Sequence, residues 1–205
     1  MAAMWTSVFR RLPDLASWLW VVLLLGCSDP GAASEFAEYL CDAEQGDAQA
    51  MHNVAFMLEN AEGVDRDCAG AVVWYEKAAG LGFVDSMVNL GVMYALGDCI
   101  DADPAEELAW FLLAAEAGNS QAMLNVGVIY GVGRGVEADP AEAIAWYQKA
   151  AALGDMQAMH NLGWMYADGE GAEADAVVGN EWMRRSARLG YEPAQEWLRD
   201  RGLDW

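Results

Sequence analysis

Few side chains of this 205-residue chain are arranged for chemistry. The two histidines, His52 and His160, lie far apart in the sequence, and neither has a cysteine or a second histidine at metal-ligand spacing. The sequence contains no HExxH, CxxC, GxSxG, Ser-x-x-Lys or P-loop motif. The acid pair Glu106-Glu107 is typical of a helix cap and a solvated outer face. We therefore predict no enzymatic activity, no metal site and no cofactor.

The first 26 residues have the pattern of an export signal. Arg10 and Arg11 precede an apolar run at residues 15–25, which is well short of the about 20 residues that a membrane-spanning helix needs. The run ends in the sequence LLGCS at residues 24–28, which resembles the lipobox of bacterial lipoproteins.

The lipobox resemblance implies that Cys27 is lipidated and that residues 27–34 form the lipidated N-terminus and a short tether. Ordinary cleavage of the signal and an uncleaved anchor are the alternatives. In lipoproteins an aspartate directly after the cysteine retains the protein at the inner membrane, and here Ser28 stands at that position. We therefore expect the N-terminal lipid to be the only membrane anchor, at the periplasmic face of the bacterial envelope, with the outer membrane favoured.

A 36-residue period organises the rest of the chain. Its clearest register is the glycine that opens each unit: Gly46, Gly82, Gly118, Gly154 and Gly190. Further registers hold an asparagine (Asn53, Asn89, Asn125, Asn161), an aspartate (Asp67, Asp103, Asp139, Asp175) and a tryptophan (Trp74, Trp110, Trp146, Trp182).

Each unit is predicted to be a helical hairpin. In its first helix, A, residues such as Ala50, Val54 and Leu58 recur at helical spacing and predict a core stripe. Small residues at positions 55, 91, 127 and 163 would let the second helix, B, approach closely. Asp103-Pro104 is typical of an N-cap with proline at the first helical position. One hairpin has too little core of its own, so neighbouring hairpins must stack.

These registers resemble the Sel1-like repeat, a relative of the tetratricopeptide repeat. The shared features are A-x-x-N-[LV]-G-x-[MI]-Y, a G-x-G-V loop, a D-P-x-x-A helix start and a W-Y-x-K-A-A-x-L-G end, over residues 35–202. The resemblance implies an all-α fold, a right-handed α-solenoid of helix-turn-helix repeats whose A helices line a concave face that holds other proteins.

The period also sets the predicted boundaries. Four repeats are expected at residues 46–81, 82–117, 118–153 and 154–189, after a partial repeat or cap at 35–45 and before a capping helix at 190–205. Ala61 and Cys99 replace loop glycines, and Gly179 and Asn180 predict looser packing of the fourth helix B.

Positions of helix A that point away from the core stripe are the candidate partner-binding residues. The period arranges them in ladders: Asn53, Asn89, Asn125 and Asn161; Phe56, Val92, Val128 and Trp164; and, on a third ladder, Leu124 and His160. An apolar surface ladder beside an amide ladder suits an extended peptide. The alternatives are that the apolar ladder packs between adjacent A helices and that the amides satisfy polar groups between repeats.

The cysteines suggest one disulfide in an oxidising compartment. Cys68 and Cys99 are predicted at the same edge of neighbouring units, and Cys41 at the other edge. We predict that Cys68 pairs with Cys99 and that Cys41 is free.

The chain carries 32 acidic residues against 11 lysines and arginines, a formal charge of −21. This charge makes binding to nucleic acids or anionic lipid headgroups unfavourable. It either attracts a basic partner or keeps a solvated surface soluble, and solubility is the commoner reason for such acidity.

We predict a non-enzymatic protein–protein interaction scaffold that binds a protein or peptide in the A-helix groove. The alternative is a β-lactam- or peptidoglycan-related binder or hydrolase, as in cysteine-rich members of the resembling family.

Overall fold

The computed structural model describes residues 34–205, which contain ten α-helices and no β-strand. In chain order the helices are α1 (Glu35–Glu44), α2 (Ala48–Asn60), α3 (Cys68–Gly80), α4 (Val84–Leu96), α5 (Pro104–Glu116), α6 (Ser120–Val132), α7 (Pro140–Ala152), α8 (Met156–Asp168), α9 (Ala176–Arg188) and α10 (Glu192–Asp200). The predicted all-α solenoid of helical repeats is confirmed. None of these helices combines the length and the apolar character that crossing a membrane requires. The predicted export signal and Cys27 lie outside the described residues.

The helices belong to two compact units. The first contains α1 to α3 and ends at Leu81, and the second extends from Gly82 to Trp205 and contains α4 to α10. In the first unit α2 packs against both α1 and α3, and in the second each helix packs against the next one along the chain. Packing between chain neighbours is how repeat proteins build a continuous core from small hairpins.

Aspartate side chains begin several helices. The Oδ1 atom of Asp103 accepts a hydrogen bond from the Ala105 N–H at 2.9 Å, and that of Asp139 accepts one from the Glu142 N–H at 3.0 Å. These N–H groups have no partner inside the helix, so the cap satisfies them. Proline follows each of these aspartates at the start of the helix, as the sequence predicted.

The predicted core stripe is buried. Ala50, Val54 and Leu58 of α2 all lie in the core. In the second unit, helices A and B are in close contact at the small-residue register. A Cβ atom added to Gly127 of α6 would lie only 2.5 Å from Cε1 of Tyr147 on α7. The absence of a side chain at this position therefore permits the hairpin packing that the sequence predicted.

The fourth helix B is packed more closely than the sequence predicted. Gly179 of α9 is buried, and a Cβ there would lie 2.9 Å from the carbonyl oxygen of Gly163 and 3.0 Å from the backbone nitrogen of Ala167, both on α8. The expectation of looser packing is therefore wrong. Gly179 has low helix propensity, but it lets two helix backbones come into contact.

The prediction of a free Cys41 is also wrong. Cys41, Cys68 and Cys99 are all disulfide-bonded, and the described residues include no free cysteine. Cys41 lies on α1, where the Gln45 side chain donates a hydrogen bond to its carbonyl oxygen at 3.3 Å. The error arose because the position of a cysteine in the repeat does not determine which other sulfur reaches it. The pairing of Cys68 with Cys99 stays a prediction, whereas the disulfide-bonded state of both is confirmed.

The turn after α2 generates a stability prediction. Ala61 ends α2 in the left-handed conformation with φ of 58°, and it is the only non-glycine residue with positive φ in the described part of the chain. Such a conformation costs an L-residue about 1–2 kcal/mol. We expect Ala61→Gly to raise the free energy of unfolding by about 1 kcal/mol, because the greater freedom of glycine in the unfolded chain offsets part of the gain.

Urea unfolding measured by circular dichroism tests this expectation. Gly97→Ala is the matched reverse change, since Gly97 ends α4 with φ of 67° and a new Cβ would lie 2.9 Å from Cβ of Ala102. That variant should be destabilised by more than Ala61→Gly is stabilised. An unchanged or lower unfolding midpoint for Ala61→Gly would contradict the prediction.

Candidate partner-binding groove

In the first unit, the candidate residues lie on α2. Phe56 is 41% exposed and presents its ring at the surface. Asn53 is half-buried, and its Oδ1 atom accepts a hydrogen bond from Nε2 of Gln49 at 3.1 Å. An apolar contact surface therefore lies one turn from an amide whose carbonyl oxygen already has a partner.

In the second unit, the candidates lie on the three A helices α4, α6 and α8. Val92 is 37% exposed and Trp164 42%, whereas Val128 between them in the period is half-buried. Asn89, Asn125, Asn161 and His160 are half-buried as well.

Leu124 departs from the prediction. It is only 2% exposed and belongs to the core, so the prediction that it lines the groove is wrong. Leu124 lies on α6, which packs against both α5 and α7, and the buried arc of this helix is wide enough to include it.

Two pockets open between consecutive A helices of the second unit. We call the first the α4–α6 pocket; its lining includes Val92, Glu107, Phe111, Asn125, Val128 and Arg134. We call the second the α6–α8 pocket; its lining includes Val128, Tyr147, Asn161, Trp164, Met165 and Glu170. Their volumes are about 210 and 240 Å³.

The two pockets are equivalent under the 36-residue period. Val92, Phe111, Asn125 and Val128 of the first correspond to Val128, Tyr147, Asn161 and Trp164 of the second. Each pocket thus has an aromatic residue from helix B and an amide from helix A. Val128 lines both pockets, so the pockets are adjacent.

The α4–α6 pocket contains a buried ion pair. Glu107 is only 3% exposed, and its Oε1 atom accepts a hydrogen bond from Nη1 of Arg134 at 3.0 Å. Burial raises the pKa of the Glu107 carboxyl, and the positive charge of Arg134 opposes that rise. The interpretation of Glu107 as part of a solvated outer face is therefore wrong, because α5 turns this residue inward to the pocket while its neighbour Glu106 stays exposed.

A chain of polar contacts orders the α6–α8 pocket. The indole N–H of Trp164 donates to Nε2 of His160 at 3.2 Å, and Nδ1 of His160 lies 3.4 Å from Oδ1 of Asn161. A neutral imidazole with its proton on Nδ1 satisfies both contacts. Asn161 also forms a side-chain hydrogen bond with Tyr147. The ring of Trp164 meets that of Trp197 edge-on, with 6.5 Å between centroids, so its orientation is fixed from two sides.

The pKa values of His160 and Tyr147 shift in opposite directions. Burial lowers the pKa of His160, while its hydrogen bond with Asn161 opposes that shift. Burial raises the pKa of Tyr147, and the negative charge of Glu170 raises it further, against the effect of Asn161. Burial therefore disfavours the charged forms of both His160 and Tyr147, and the charge of Glu170 acts in the same direction on Tyr147.

Sequence reasoning missed the helix B and loop residues of both pockets. Phe111 and Tyr147 share one register, and Arg134 and Glu170 share another. The 36-residue period, carried onto helix B and the following loop, is the signal that could have found them. Of the predicted residues on the three A helices, Asn89, His160 and Leu124 line neither pocket.

The lowered pKa of His160 predicts a pH dependence of stability. As pH falls below about 6.5 the unfolded chain takes up the imidazole proton before the folded chain does. The free energy of unfolding should therefore decrease as pH falls from 6.5 through the folded-state pKa, by at most about 1.4 kcal/mol per pH unit.

The check is urea unfolding at a series of pH values for the natural protein and for His160→Gln. Glutamine can accept the Trp164 hydrogen bond but does not titrate, so its unfolding free energy should fall less over this range. Equal slopes for the two proteins would contradict the assignment.

Comparison with known proteins agrees with the observed period. A family profile described as the Sel1 repeat matches residues 48–83, 84–119, 120–155 and 157–191. No curated protein is significantly similar in sequence.

Three solved structures illustrate the similarity of fold. A protective antigen of uropathogenic Escherichia coli strains with an SLR fold is 29% identical over 83% of this chain, with a TM-score of 0.77. A Sel1 repeat protein from Oxalobacter formigenes is 32% identical over 80% of it, with a TM-score of 0.72. The chain spans only 37% and 48% of those two proteins.

The third structure, Helicobacter pylori cysteine rich protein B, is 22% identical over 65% of this chain and 96% of its own length, with a TM-score of 0.52, and it shares the fold alone. The four matched segments cover well over half of the sequence, so this chain belongs to the Sel1 repeat family.

Proposed function

We propose that this protein is a non-enzymatic scaffold that binds a segment of a partner protein along its A-helix face. Sel1 repeat proteins are generally non-enzymatic scaffolds for protein–protein interaction. The observation that carries the proposal is the pair of equivalent pockets between α4, α6 and α8, with exposed apolar side chains at both ends. Large exposed apolar groups next to fixed amides suit a partner that buries side chains and pairs its backbone.

The geometry favours a segment that crosses successive A helices. Val92, Val128 and Trp164 occur once per repeat, so a chain lying across α4, α6 and α8 meets an apolar contact on each. Asn125 and Asn161 stand beside these contacts in the same pockets. Recurrent contacts of modest strength add up along an extended surface, which is how repeat proteins bind.

Replacement of Phe56 by glutamate should weaken partner binding to the first unit, and replacement of Trp164 by glutamate should weaken partner binding to the second unit. A buried charge in an apolar contact is unfavourable unless it is paired, and we expect at least about tenfold less partner in a crosslinking pull-down from native envelopes. Leu113→Glu is the matched control, because Leu113 is 47% exposed but lies on helix B of its repeat. An unchanged partner set, with helicity intact by circular dichroism, would contradict the groove.

The disulfide-bonded cysteines support an exported protein, since disulfides persist in oxidising compartments.

We propose in addition that Cys27 carries the lipid anchor and that the protein resides at the periplasmic face of the outer membrane. The chain has four cysteines. Cys41, Cys68 and Cys99 are all disulfide-bonded, so a thioether at Cys27 requires that one of these three pairs with a thiol of another molecule.

Mass spectrometry of the protein purified from membranes tests the anchor and the pairing together. We expect the mass of a diacylglyceryl group on Cys27 and a disulfide-linked peptide joining Cys68 to Cys99. Cys27→Ser should release the protein from the membrane fraction, and Cys41→Ser is the control that leaves the lipidation site intact. Four cysteines in two disulfides within one chain would exclude the anchor, and linkage of Cys68 to a cysteine other than Cys99 would contradict the pairing.

A further inference from the structure

We propose that the α6–α8 pocket binds the cationic side chain of a lysine or arginine presented by a partner protein. This inference rests on the proposed scaffold function and specifies the chemistry of one site in it.

The α4–α6 pocket already contains a cation of its own. The guanidinium of Arg134 reaches the buried Glu107 carboxylate at 3.0 Å, so a pocket of this design accommodates an alkyl stem that ends in a positive charge. One period later the charges of these two positions differ. Glu170 occupies the position of Arg134, and the uncharged Ala143 occupies that of Glu107. The described residues that line the α6–α8 pocket include no lysine or arginine.

The walls of the α6–α8 pocket fit such a cation. Trp164, which is 42% exposed, and the buried Tyr147 both line the pocket, and aromatic rings are side chains that attract cations. Val128 and Val132 supply apolar surface for the stem of the side chain. The same chain shows this preference elsewhere, since Nζ of Lys149 lies 3.4 Å from the ring centroid of Trp146 and the guanidinium carbon of Arg201 lies 3.9 Å from that of Trp197.

The pocket is also ordered before anything binds. His160 and Trp197 hold Trp164, and Asn161 holds Tyr147, so a ligand need not immobilise either ring. A preformed site loses less conformational entropy on binding. Glu170 lines the same pocket as the two rings and supplies the negative charge.

Long-range charge acts in the same direction. The formal charge of −21 attracts positively charged segments and repels acidic ones, which raises the rate at which a basic partner meets the surface. The sequence alone allowed two reasons for the acidic charge, solubility and attraction of a basic partner. The proposed site favours the second reason and assigns the attraction to one pocket.

The test compares two peptides that differ only in charge. Acetyl-Ala-Ala-Lys-Ala-Ala-amide and the same peptide with norleucine, whose stem is also four carbons long, are titrated into the purified isotope-labelled protein. The chemical shift of the Trp164 indole N–H reports binding in the pocket. We expect the lysine peptide to bind about tenfold more tightly than the norleucine peptide, with an arginine peptide at least as tight.

Two matched variants assign that preference. Glu170→Gln should reduce the lysine preference to about twofold or less, because the carboxylate is lost. Glu173→Gln removes the same charge from an exposed position in the same loop that does not line the pocket, and it should keep the preference. Equal affinity of the lysine and norleucine peptides, equal loss in both variants, or no saturable shift at tens of millimolar peptide would overturn the cation site.

The failure of this site can be told apart from the failure of the scaffold. If Trp164→Glu leaves every crosslinked partner in place, the proposed groove falls. If partners depend on Trp164 but all of them survive Glu170→Gln, the groove stands and only the cation site falls.

Discussion

The second unit depends on one steric constraint: helix A has no side chain where helix B crosses it. A Cβ at Gly91 would lie 2.8 Å from Cδ1 of Phe111, and one at Gly127 only 2.5 Å from Cε1 of Tyr147. Phe111 and Tyr147 therefore rest directly on the backbone of the preceding helix. The same two rings line the two pockets. The glycine register thus closes the hairpin and also positions an aromatic ring for each pocket, so stacking and binding surface share one cause.

Because the backbone constraint repeats, the pockets can differ only in the side chains added around it. The α4–α6 pocket has the Glu107–Arg134 pair, and the α6–α8 pocket has Glu170, Trp164 and no basic lining residue among those described. A buried ion pair is by itself weak evidence of added stability. The Glu107–Arg134 pair occupies one pocket with the chain's own cation, whereas no lysine or arginine among the described residues lines the adjacent one. Repetition gives the shape of the sites, and divergence between repeats gives their selectivity.

The sequence alone predicted the architecture because the fold repeats. Registers that recur four times identified the core stripe at Ala50, Val54 and Leu58, the caps at Asp103 and Asp139, and the close approach at Gly127. Errors occurred where one repeat differs from the others. The Leu124 side chain is buried where its period equivalent His160 is half-buried. Glu107 turns into a pocket that only the folded hairpin creates, and Gly179 makes a backbone contact despite its low helix propensity. Such features depend on tertiary neighbours, which a local pattern does not contain.

Val128 lines both pockets, and this adjacency limits what a partner can present. A cation in the α6–α8 pocket finds Glu170 and two aromatic rings. A second cation across Val128 would meet Arg134, whose side chain is 43% exposed and already neutralises Glu107. Like charges in adjacent pockets repel, and repulsion of wrong partners contributes to specificity as well as attraction of the right ones. A segment with one basic residue next to a neutral or acidic one therefore matches the surface better than a uniformly basic chain, even though the whole molecule is strongly acidic.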